Sequence, residues 1–237
     1  DLYRAEQPNW RFHFARWLEV RAIKNASLIM AISDNTAHDL HRVLGIPYER
    51  IVVTPLGVDS VFGSATEVSE LDIRARHGIP RGRQMILYVG GIDQRKNWPC
   101  LLETLYRLKL RASEQRVQSP ILVMAGRIDR DRQFPKMMQR IVELDLSDDV
   151  VQPGFVRDEE LRELFAISSV FFFPSLYEGF GLTPFEAMAA GVPVVSSGRS
   201  AMREVLDTAA HLVDPEQYGE CAAAIWEVLG NREYANV

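Results

Sequence analysis

The sequence is poor in cysteine and has fewer basic than acidic residues. Its 237 residues include two cysteines, Cys100 and Cys221, which lie far apart in segments that favour helix. So few cysteines fit a reducing compartment and argue against a disulfide framework, and we expect both in the core because neither has metal-ligand spacing. The 27 Lys and Arg against 32 Asp and Glu give a formal charge of −5. This balance argues against a general nucleic-acid binder but leaves room for one basic pocket for a phosphorylated ligand.

Long hydrophobic runs are also lacking. The most apolar stretch, at residues 170–174, has the length of a strand. A membrane-spanning helix needs roughly 20 apolar residues. No secretory signal is recognisable at the start of the sequence. From these features we expect a cytoplasmic protein without a membrane-spanning segment.

Short runs rich in β-branched and aromatic residues alternate with amphipathic stretches along the chain. The runs are continuous rather than alternating in polarity, which is typical of parallel strands buried on both faces. Strand alternating with helix indicates βαβ units, so the sequence predicts an α/β fold with a doubly wound, Rossmann-like parallel sheet. The predicted strands lie within residues 27–33, 50–57, 85–91, 121–126, 149–156, 170–174, 193–197 and 211–214. Clear helical patterns span residues 35–44, 98–111, 158–167, 184–190 and 216–229.

The predicted strands divide the chain into unequal parts. Residues 60–84 lack strand character and carry Gly, Ser and Pro, so we expect an interdomain linker there. The six strands within residues 85–237 suffice for a Rossmann-like domain, whereas the two within residues 1–59 are too few to close a sheet. We therefore expect residues 1–59 to be the end of an incomplete amino-terminal domain, and the chain to be part of a longer protein.

An opening helix with an aromatic face precedes these strands. Trp10, Phe14, Trp17 and Leu18 fall near one face at helical spacing, and basic residues surround them. A basic, aromatic amphipathic helix is compatible with binding at a membrane surface. We favour the alternative, in which the helix packs beneath the missing domain.

A strand followed by two glycines forms the first candidate site, in the sequence YVGGIDQRKNW. Gly90 and Gly91 follow the strand directly, and Asn97, a favoured N-cap residue, begins the next helix. Free amides at a helix N-terminus attract anions, and Arg95 and Lys96 add two cations that can bind a pyrophosphate. A solvated turn with two surface cations explains the same spacing equally well. The motif is not G-x-G-x-x-G and gives no support to NAD binding.

A second glycine-containing turn lies in the sequence PSLYEGFGLTPFEAMAAG. Thr183 and Glu186 have the spacing of a capping box, with proline at the first helical position. Gly179 and Gly181 allow close approach of the backbone to a ligand, which a cap does not require. Glu178 follows a strand end, where open α/β sheets bind ligands. A glycosidase pair of Glu178 and Glu186 is disfavoured, because one carboxylate would be committed to the helix terminus. A single ligand lying along the turn is the better hypothesis.

These motifs, together with GFVRDEELRELFAISSVFFFPS and LIMAISDNTAHDL, resemble the retaining glycosyltransferases of the GT-B fold in family four. The likeness is most specific in PSLYEGFGLTPFEAMAAGVPVV, where Glu178 and Glu186 form an E-x7-E signature. The resemblance covers nearly all of the chain. It implies two Rossmann-like domains with the active site between them, and residues 60–237 resemble the carboxyl-terminal, nucleotide-sugar-binding domain.

The resemblance also implies roles for individual residues. Lys96 and Arg95 would neutralise the donor diphosphate and Glu178 would face the transferred sugar, so these three are the candidate catalytic residues. Glu186 would hold the nucleotide ribose. The candidate substrate-binding residues are Gly90, Gly91, Phe155, Val156, Gly179, Phe180, Gly181, Leu182, Thr183 and Glu186. The sequence departs from the family at Gly91, where many members carry Arg, and the nearby Arg here is Arg95.

The resemblance implies substrates and excludes cofactors. Backbone near Phe155 and Val156 would meet the base, and the amides of residues 179–183 would hold sugar hydroxyls and phosphate. The implied donor is GDP-mannose, with UDP-sugars as the alternative, and the acceptor is a saccharide or a lipid-linked sugar of polysaccharide or lipopolysaccharide biosynthesis. A lipid-linked acceptor would bring the protein to the inner face of the plasma membrane. The family is metal-independent, and the D-x-D triplet at residues 129–131 is better explained as a solvated charge cluster.

Two other functions fit parts of the same pattern. The chain could be a donor-binding module that binds nucleotide but, without the acceptor domain, transfers no sugar. A hydrolase or phosphorylase of similar architecture would release sugar from an oligosaccharide without any nucleotide.

Overall fold

A six-stranded sheet dominates the structure. The computed structural model describes residues 10–64 and 68–230. Six strands pair in the order β5-β4-β3-β6-β7-β8, and every neighbouring pair is parallel. These strands are β3 Met85–Val89, β4 Ile121–Ala125, β5 Val150–Gly154, β6 Val170–Phe173, β7 Val194–Ser197 and β8 His211–Val213. The predicted α/β class and parallel sheet are confirmed.

Helices connect the strands in the manner of a doubly wound fold. The chain steps from β3 outward to β5, returns to β6 beside β3, and then steps outward in the other direction to β8. Because parallel crossovers are right-handed, the helices that connect β3 to β5 and those that connect β5 to β8 lie on opposite faces of the sheet. The last helix, after β8, packs against the helix that follows β3. The helices of this unit are α3 Glu70–His77, α4 Trp98–Gln115, α5 Phe134–Glu143, α6 Asp158–Ala166, α7 Leu182–Ala189, α8 Ala201–Leu206 and α9 Tyr218–Gly230.

The central strands form the core. Strands β4 and β6 are buried along their whole length, as the continuous apolar runs predict. Phe165 packs edge-on against Phe171 with ring centroids 5.7 Å apart, an arrangement that aromatic pairs prefer. Cys100 and Cys221 are both buried, and their Sγ atoms lie 3.8 Å apart. The expectation that the cysteines fill the core is confirmed.

The amino-terminal part forms a smaller unit. Helix α1 Trp10–Asn25 is followed by strand β1 Ile29–Ala31, helix α2 Asp34–Leu44 and strand β2 Ile51–Val53, and the two strands pair in parallel. Ser33 caps α2 by accepting a hydrogen bond from the Thr36 amide at 3.0 Å. No residue of α1 is buried, and Trp10 is 72% exposed. The aromatic face predicted for α1 is therefore exposed in the described part of the chain.

The described residues of 60–84 pack against the six-stranded unit. They contain helix α3, which Ser69 caps by accepting from the Asp72 amide. Phe62 and Ile73 are buried in the main core. Arg74 is also buried and donates to the carbonyl oxygen of Pro80 at 2.7 Å. The described residues of this segment contain no strand, and the linker assignment stays a prediction. The domain boundary near residue 59 stays a prediction.

None of the helices within residues 10–64 and 68–230 is long and apolar enough to cross a membrane.

Candidate functional site

Three loops meet at the carboxyl ends of β3, β6 and β7. Strands β3 and β6 are neighbours, but the chain leaves them in opposite directions across the sheet. Such a topological switch point opens a crevice at the carboxyl edge, where α/β folds bind their ligands. The loop after β3 carries Arg95 and Lys96, and the loop after β6 carries Glu178. Both predicted motifs therefore flank the crevice.

The floor of the crevice is tightly packed backbone. Gly90 has a φ of 150°, and its amide donates to the Ala125 carbonyl at 2.9 Å. A Cβ atom on Gly126 would collide with the Gly90 carbonyl oxygen. The buried Tyr88 hydroxyl donates to the carbonyl oxygen of Gly91 and holds the turn from below. Only glycine fits at positions 90 and 126, since both need positive φ and close contact.

The turn after Gly91 differs in detail from the sequence prediction. Residues Gln94–Lys96 form a short 3₁₀ turn, and α4 begins at Trp98, directly after Asn97 as predicted. Asn97 does not cap α4 with its side chain, however. Its backbone lies in the left-handed region at φ 56°, and its Nδ2 donates to the carbonyl oxygens of Pro174 and Pro215 at 3.2 and 3.0 Å. Asn97 thereby ties the first candidate turn to the loop after β6.

The three candidate catalytic residues form one ion-pair cluster. Lys96 Nζ lies 2.6 Å from Glu178 Oε1, and Arg95 Nη1 lies 3.0 Å from Glu178 Oε2. Glu178 is 7% exposed, and the Lys96 side chain is 14% exposed and lies 4.9 Å from the centre of the Phe173 ring. The alternative of a solvated turn with two surface cations is wrong for Lys96. The sequence motifs are 82 residues apart, yet the fold brings their charges into direct contact.

The glycine turn after Glu178 is held between α2 and α8. The Gly179 carbonyl oxygen accepts from Ser33 Oγ at 2.7 Å and from Thr36 Oγ1 at 3.2 Å. On the other side, Ser200 Oγ accepts from the Glu178 amide at 2.8 Å. The Tyr177 hydroxyl donates to Asp39 Oδ2 at 2.5 Å. The turn is therefore anchored to the amino-terminal unit as well as to the main sheet.

The predicted capping box at Thr183 and Glu186 does not form. Helix α7 begins at Leu182, after Gly181 with φ 82°, and no side chain caps it. Thr183 thus lies inside the first turn of α7. Pro184 follows it and is tolerated there, because backbone nitrogens in the first turn of a helix have no hydrogen-bond partner within the helix. The side chain of Phe180 is buried and stacks on Phe185 with centroids 5.4 Å apart.

Because the capping box does not form, other groups determine the environment of Glu186. Burial and the nearby Asp158 carboxylate raise the pKa of Glu186 above its ordinary value. Asp158 is the first residue of α6 and follows the loop after β5. Glu186 therefore lies near the start of α6, whereas Glu178, after β6, is bound to the two cations that follow β3. The two glutamates occupy different environments.

An exposed aromatic side chain marks the β5 end of the site. Phe155 follows β5 directly and is 61% exposed, and the Arg127 guanidinium lies 4.6 Å from its ring centre. Val156 is half-buried and packs against the core. Arg127 follows β4, so this cation–aromatic pair spans two neighbouring strand ends.

The D-x-D triplet and a cavity near β7 and β8 are separate from the ion-pair cluster. Asp131 Oδ1 accepts from the Gln133 amide at 2.8 Å and serves the entry to α5. Within the described part of the chain, no three His, Cys, Asp or Glu side chains cluster as metal ligands would. A cavity of about 790 Å³ lies beside Val194 and His211, which begin β7 and β8. This cavity is at the amino edge of the sheet, opposite the candidate site.

Sequence reasoning missed the residues that position the site. Ser200 and Glu204 contact the glycine turn or α2 but belong to none of the quoted motifs, and Tyr177, inside the second motif, was assigned no role. Glu204 Oε1 and Oε2 accept from the first two amides of α2 at 2.8 and 2.9 Å. A helix N-terminus attracts a carboxylate, but only the fold shows which carboxylate it meets.

Comparison with known proteins identifies the family. Residues 69–237 match the model of "Glycosyl transferases group 1", and residues 1–62 match that of "Glycosyltransferase Family 4". The chain belongs to the glycosyl transferases group 1 family. This glycosyltransferase chain is 29% identical over 217 residues to the O-antigen chain mannosyltransferase B of Escherichia coli, covering 91% of this chain and 55% of the relative. It is 30% identical over 216 residues to the MMP alpha-(1->4)-mannosyltransferase of Mycolicibacterium hassiacum, covering 90% and 47%.

Solved structures establish the fold of the glycosyltransferase chain as GT-B. The Anabaena protein Alr3699/HepE in complex with UDP and glucose superposes with a TM-score of 0.77 at 20% identity, covering 94% of this chain and 60% of that protein. A glycosyltransferase from Rickettsia africae superposes with a TM-score of 0.74 at 20% identity, covering 98% and 60%. The chain spans about half the length of the curated relatives that it matches.

Proposed function

We propose that the protein transfers a hexosyl group from a nucleoside-diphosphate sugar to a saccharide or lipid-linked acceptor, with retention of configuration. This chain supplies the donor-binding half of the site. The observation that carries the proposal is the convergence of Lys96 and Arg95 on Glu178, at 2.6 and 3.0 Å, in the crevice between β3 and β6. Two cations and a carboxylate at a topological switch point suit a diphosphate joined to a polar sugar.

The order of groups along the sheet edge supports a nucleotide sugar. Phe155 with Arg127 lies at the β5 and β4 ends, and Lys96 follows β3. Neighbouring strands are about 4.8 Å apart, so the ends of β5 and β3 are separated by about 10 Å. Glu186 lies near α6, and Glu178 lies beyond Lys96 at β6. A donor fits this line with its base at Phe155, its ribose at Glu186, its diphosphate at Lys96 and its sugar at Glu178.

Electrostatics would contribute most to the reaction. When the bond between the anomeric carbon and the phosphate oxygen breaks, negative charge develops on the diphosphate and positive charge on the sugar ring. Lys96 and Arg95 would stabilise the leaving diphosphate, and Glu178 would lie beside the sugar. Attack by an acceptor hydroxyl from the side of the leaving group forms the new glycosidic bond with retained configuration, and the hydroxyl proton passes to the departing phosphate oxygen. The amides of the turn after Glu178 would hold sugar hydroxyls and phosphate oxygens, and we expect no metal ion to be required.

The mannosyltransferase relatives support mannose as the transferred sugar. We therefore expect GDP-mannose as donor, with a UDP-sugar as the alternative that the UDP-bound neighbour structure suggests. A thermal-shift panel of GDP, UDP and ADP with their sugars tests this choice. A ligand at a hundred times its Kd stabilises the fold by about 2.7 kcal/mol, so the matching nucleotide gives a measurable shift. A shift with ADP alone would contradict both expectations.

Calorimetric titration of the donor tests the placement of the site. We expect Lys96→Ala to weaken donor binding at the diphosphate and Glu186→Ala to weaken it at the ribose. Lys136→Ala removes an exposed lysine of α5 and is the matched control. Unchanged affinity in both site variants would show that the donor binds elsewhere.

Turnover assays separate the proposal from its alternatives. Nucleotide binding without sugar transfer or donor hydrolysis by this chain supports a donor-binding module that needs the rest of the protein. Sugar transfer or donor hydrolysis by this chain alone would show that it does not need the rest of the protein. Release of sugar from an oligosaccharide in the absence of nucleotide identifies a hydrolase or phosphorylase instead. A lipid-linked acceptor, and with it peripheral association with the inner membrane face, stays a prediction that acceptor assays with the longer protein test.

A further inference from the structure

Ser200 adopts a backbone conformation that residues with a side chain avoid. Its φ and ψ are 50° and −140°, in a region that glycine reaches far more readily. Ser200 occupies the N-cap position of α8, where a serine side chain ordinarily accepts a hydrogen bond from the helix. Here the side chain makes no capping bond. The residue is therefore strained, and its hydroxyl is not used for the usual purpose of a serine at this position.

The Ser200 hydroxyl instead accepts a hydrogen bond from the Glu178 amide. The Oγ to N distance is 2.8 Å, across 22 residues of sequence. The Glu178 carboxylate is the acceptor between Lys96 and Arg95, and the residue directly after it is Gly179. Glycines leave a backbone free to rotate, so the turn needs outside contacts to fix the direction of Glu178. The carbonyl of Gly179 is held by α2, and the amide of Glu178 is held by Ser200.

We propose that Ser200 is a positioning residue, held in a strained conformation so that its hydroxyl fixes the Glu178 backbone and aims the carboxylate at the transferred sugar. This inference rests on the proposed function, because it assigns Glu178 to the sugar end of the donor. Glycine at position 200 would relieve the strain but could not make the bond. The serine therefore favours site geometry over local stability, a trade-off that recurs at functional sites.

Two substitutions in the full-length protein separate the hydroxyl from the strain. Ser200→Gly removes both, whereas Ser200→Ala removes the hydroxyl and keeps the Cβ atom. We expect Ser200→Gly to unfold at the same or a higher temperature than the native protein, and Ser200→Ala at a lower one. Both variants should lose about tenfold or more in kcat with a smaller change in KM, because they disturb the geometry of Glu178 rather than the nucleotide contacts. Ser168→Ala, which removes a hydroxyl bonded to the Leu164 carbonyl away from the site, is the control.

Binding measurements provide a readout that stability alone would not change. Affinity for the bare nucleoside diphosphate should not fall in either variant, because Glu178 competes with it for Lys96 and Arg95. Affinity for the nucleotide sugar should fall, by a smaller factor than kcat, because Glu178 contacts the sugar. Native kcat in Ser200→Gly would overturn the inference, and so would equal losses of stability in the Gly and Ala variants. Absence of nucleotide binding by the native protein would instead refute the proposed function. The two failures are therefore distinguishable.

Discussion

Replacing Glu178 by Gln should strengthen binding of a bare nucleoside diphosphate. Glu178 is paired with the two cations that we assign to the diphosphate, with contacts of 2.6 Å to Lys96 and 3.0 Å to Arg95. A diphosphate must displace or share this carboxylate before it can bind. Glu178→Gln keeps the shape of the side chain but removes its charge, so the competition weakens.

The size of the effect follows from the burial of the two contacts. A hydrogen bond to a charged group contributes about 1.5–3 kcal/mol, which applies to the largely buried Lys96 contact. The Arg95 side chain is 37% exposed, so solvent screening reduces its share to about 0.2–1 kcal/mol. The Gln carbonyl still accepts from Lys96 at about half the charged strength. The net gain for the diphosphate is then about 1–2 kcal/mol, or roughly 5- to 30-fold in Kd.

Calorimetric titration of GDP and UDP against the native protein and Glu178→Gln measures this gain. The nucleotide sugar should show a smaller gain or a loss, because the variant also loses its contact to the sugar. Glu103→Gln is the matched control, since Glu103 forms a comparable ion pair with Arg140 away from the site. A folded Glu178→Gln variant that binds the bare diphosphate no better than the native protein would refute the competition argument.

Three further substitutions test other parts of the site. The pKa of Glu186 is raised by burial and by Asp158, so the folded state favours the protonated form, and this stability is lost as pH rises through the raised pKa. Glu186→Gln should therefore raise the Tm at pH 7 but not below the ordinary pKa of 4.5, and equal shifts at both pH values would contradict the assignment. Gly181→Ala should cost about 1–3 kcal/mol in denaturant unfolding, because its φ is 82° and the new Cβ would lie 2.7 Å from Met202 Sδ. In the Gly181→Ala variant, a second substitution Met202→Ala should recover only the part of the lost stability that comes from the clash of the new Cβ with Met202. Native stability of Gly181→Ala alone would contradict the backbone strain. Glu204→Ala should speed hydrogen exchange at the first two amides of α2 about fivefold or more through loss of about 1 kcal/mol of capping, and unchanged exchange would show that water replaces the carboxylate.

The strands and the place of the site could be predicted from the sequence for simple physical reasons. Continuous apolar runs mark strands buried on both faces, and all eight predicted runs contain a strand. Parallel strands align their carboxyl ends at one edge, so the loops after residues 85–89 and 170–173 had to lie near each other if those strands were neighbours. The pattern of the runs does not specify that β3 and β6 are neighbours, and the ion-pair cluster depends on that pairing.

Three local details of the structure could not be predicted from the sequence patterns. The spacing of Thr183 and Glu186 satisfies the capping-box pattern, but Gly181 ends the preceding turn in a left-handed conformation and α7 starts one residue before Thr183. Helix α3 was missed because it is short and only Ile73 among its apolar side chains is buried. Asn97 was correctly placed before α4, yet its amide group serves two distant carbonyl groups. Only the partners of Asn97 lie far away in sequence, whereas the start of α7 and the shortness of α3 are local features.

The glycine floor of the crevice limits how this site can be redesigned. At position 126 the Gly90 carbonyl, and at position 90 the Tyr88 hydroxyl, fills the space that a Cβ atom would need, so neither position can accept a new side chain to alter selectivity. In the proposed site, laboratory evolution of donor preference must therefore change the residues around these glycines. Arg127 and Phe155 are the main candidates, because both side chains are exposed and should tolerate substitution. In a saturation library we expect Gly90 and Gly126 to remain unchanged in active variants. We expect new nucleotide preferences to arise from substitutions at the carboxyl ends of β4 and β5.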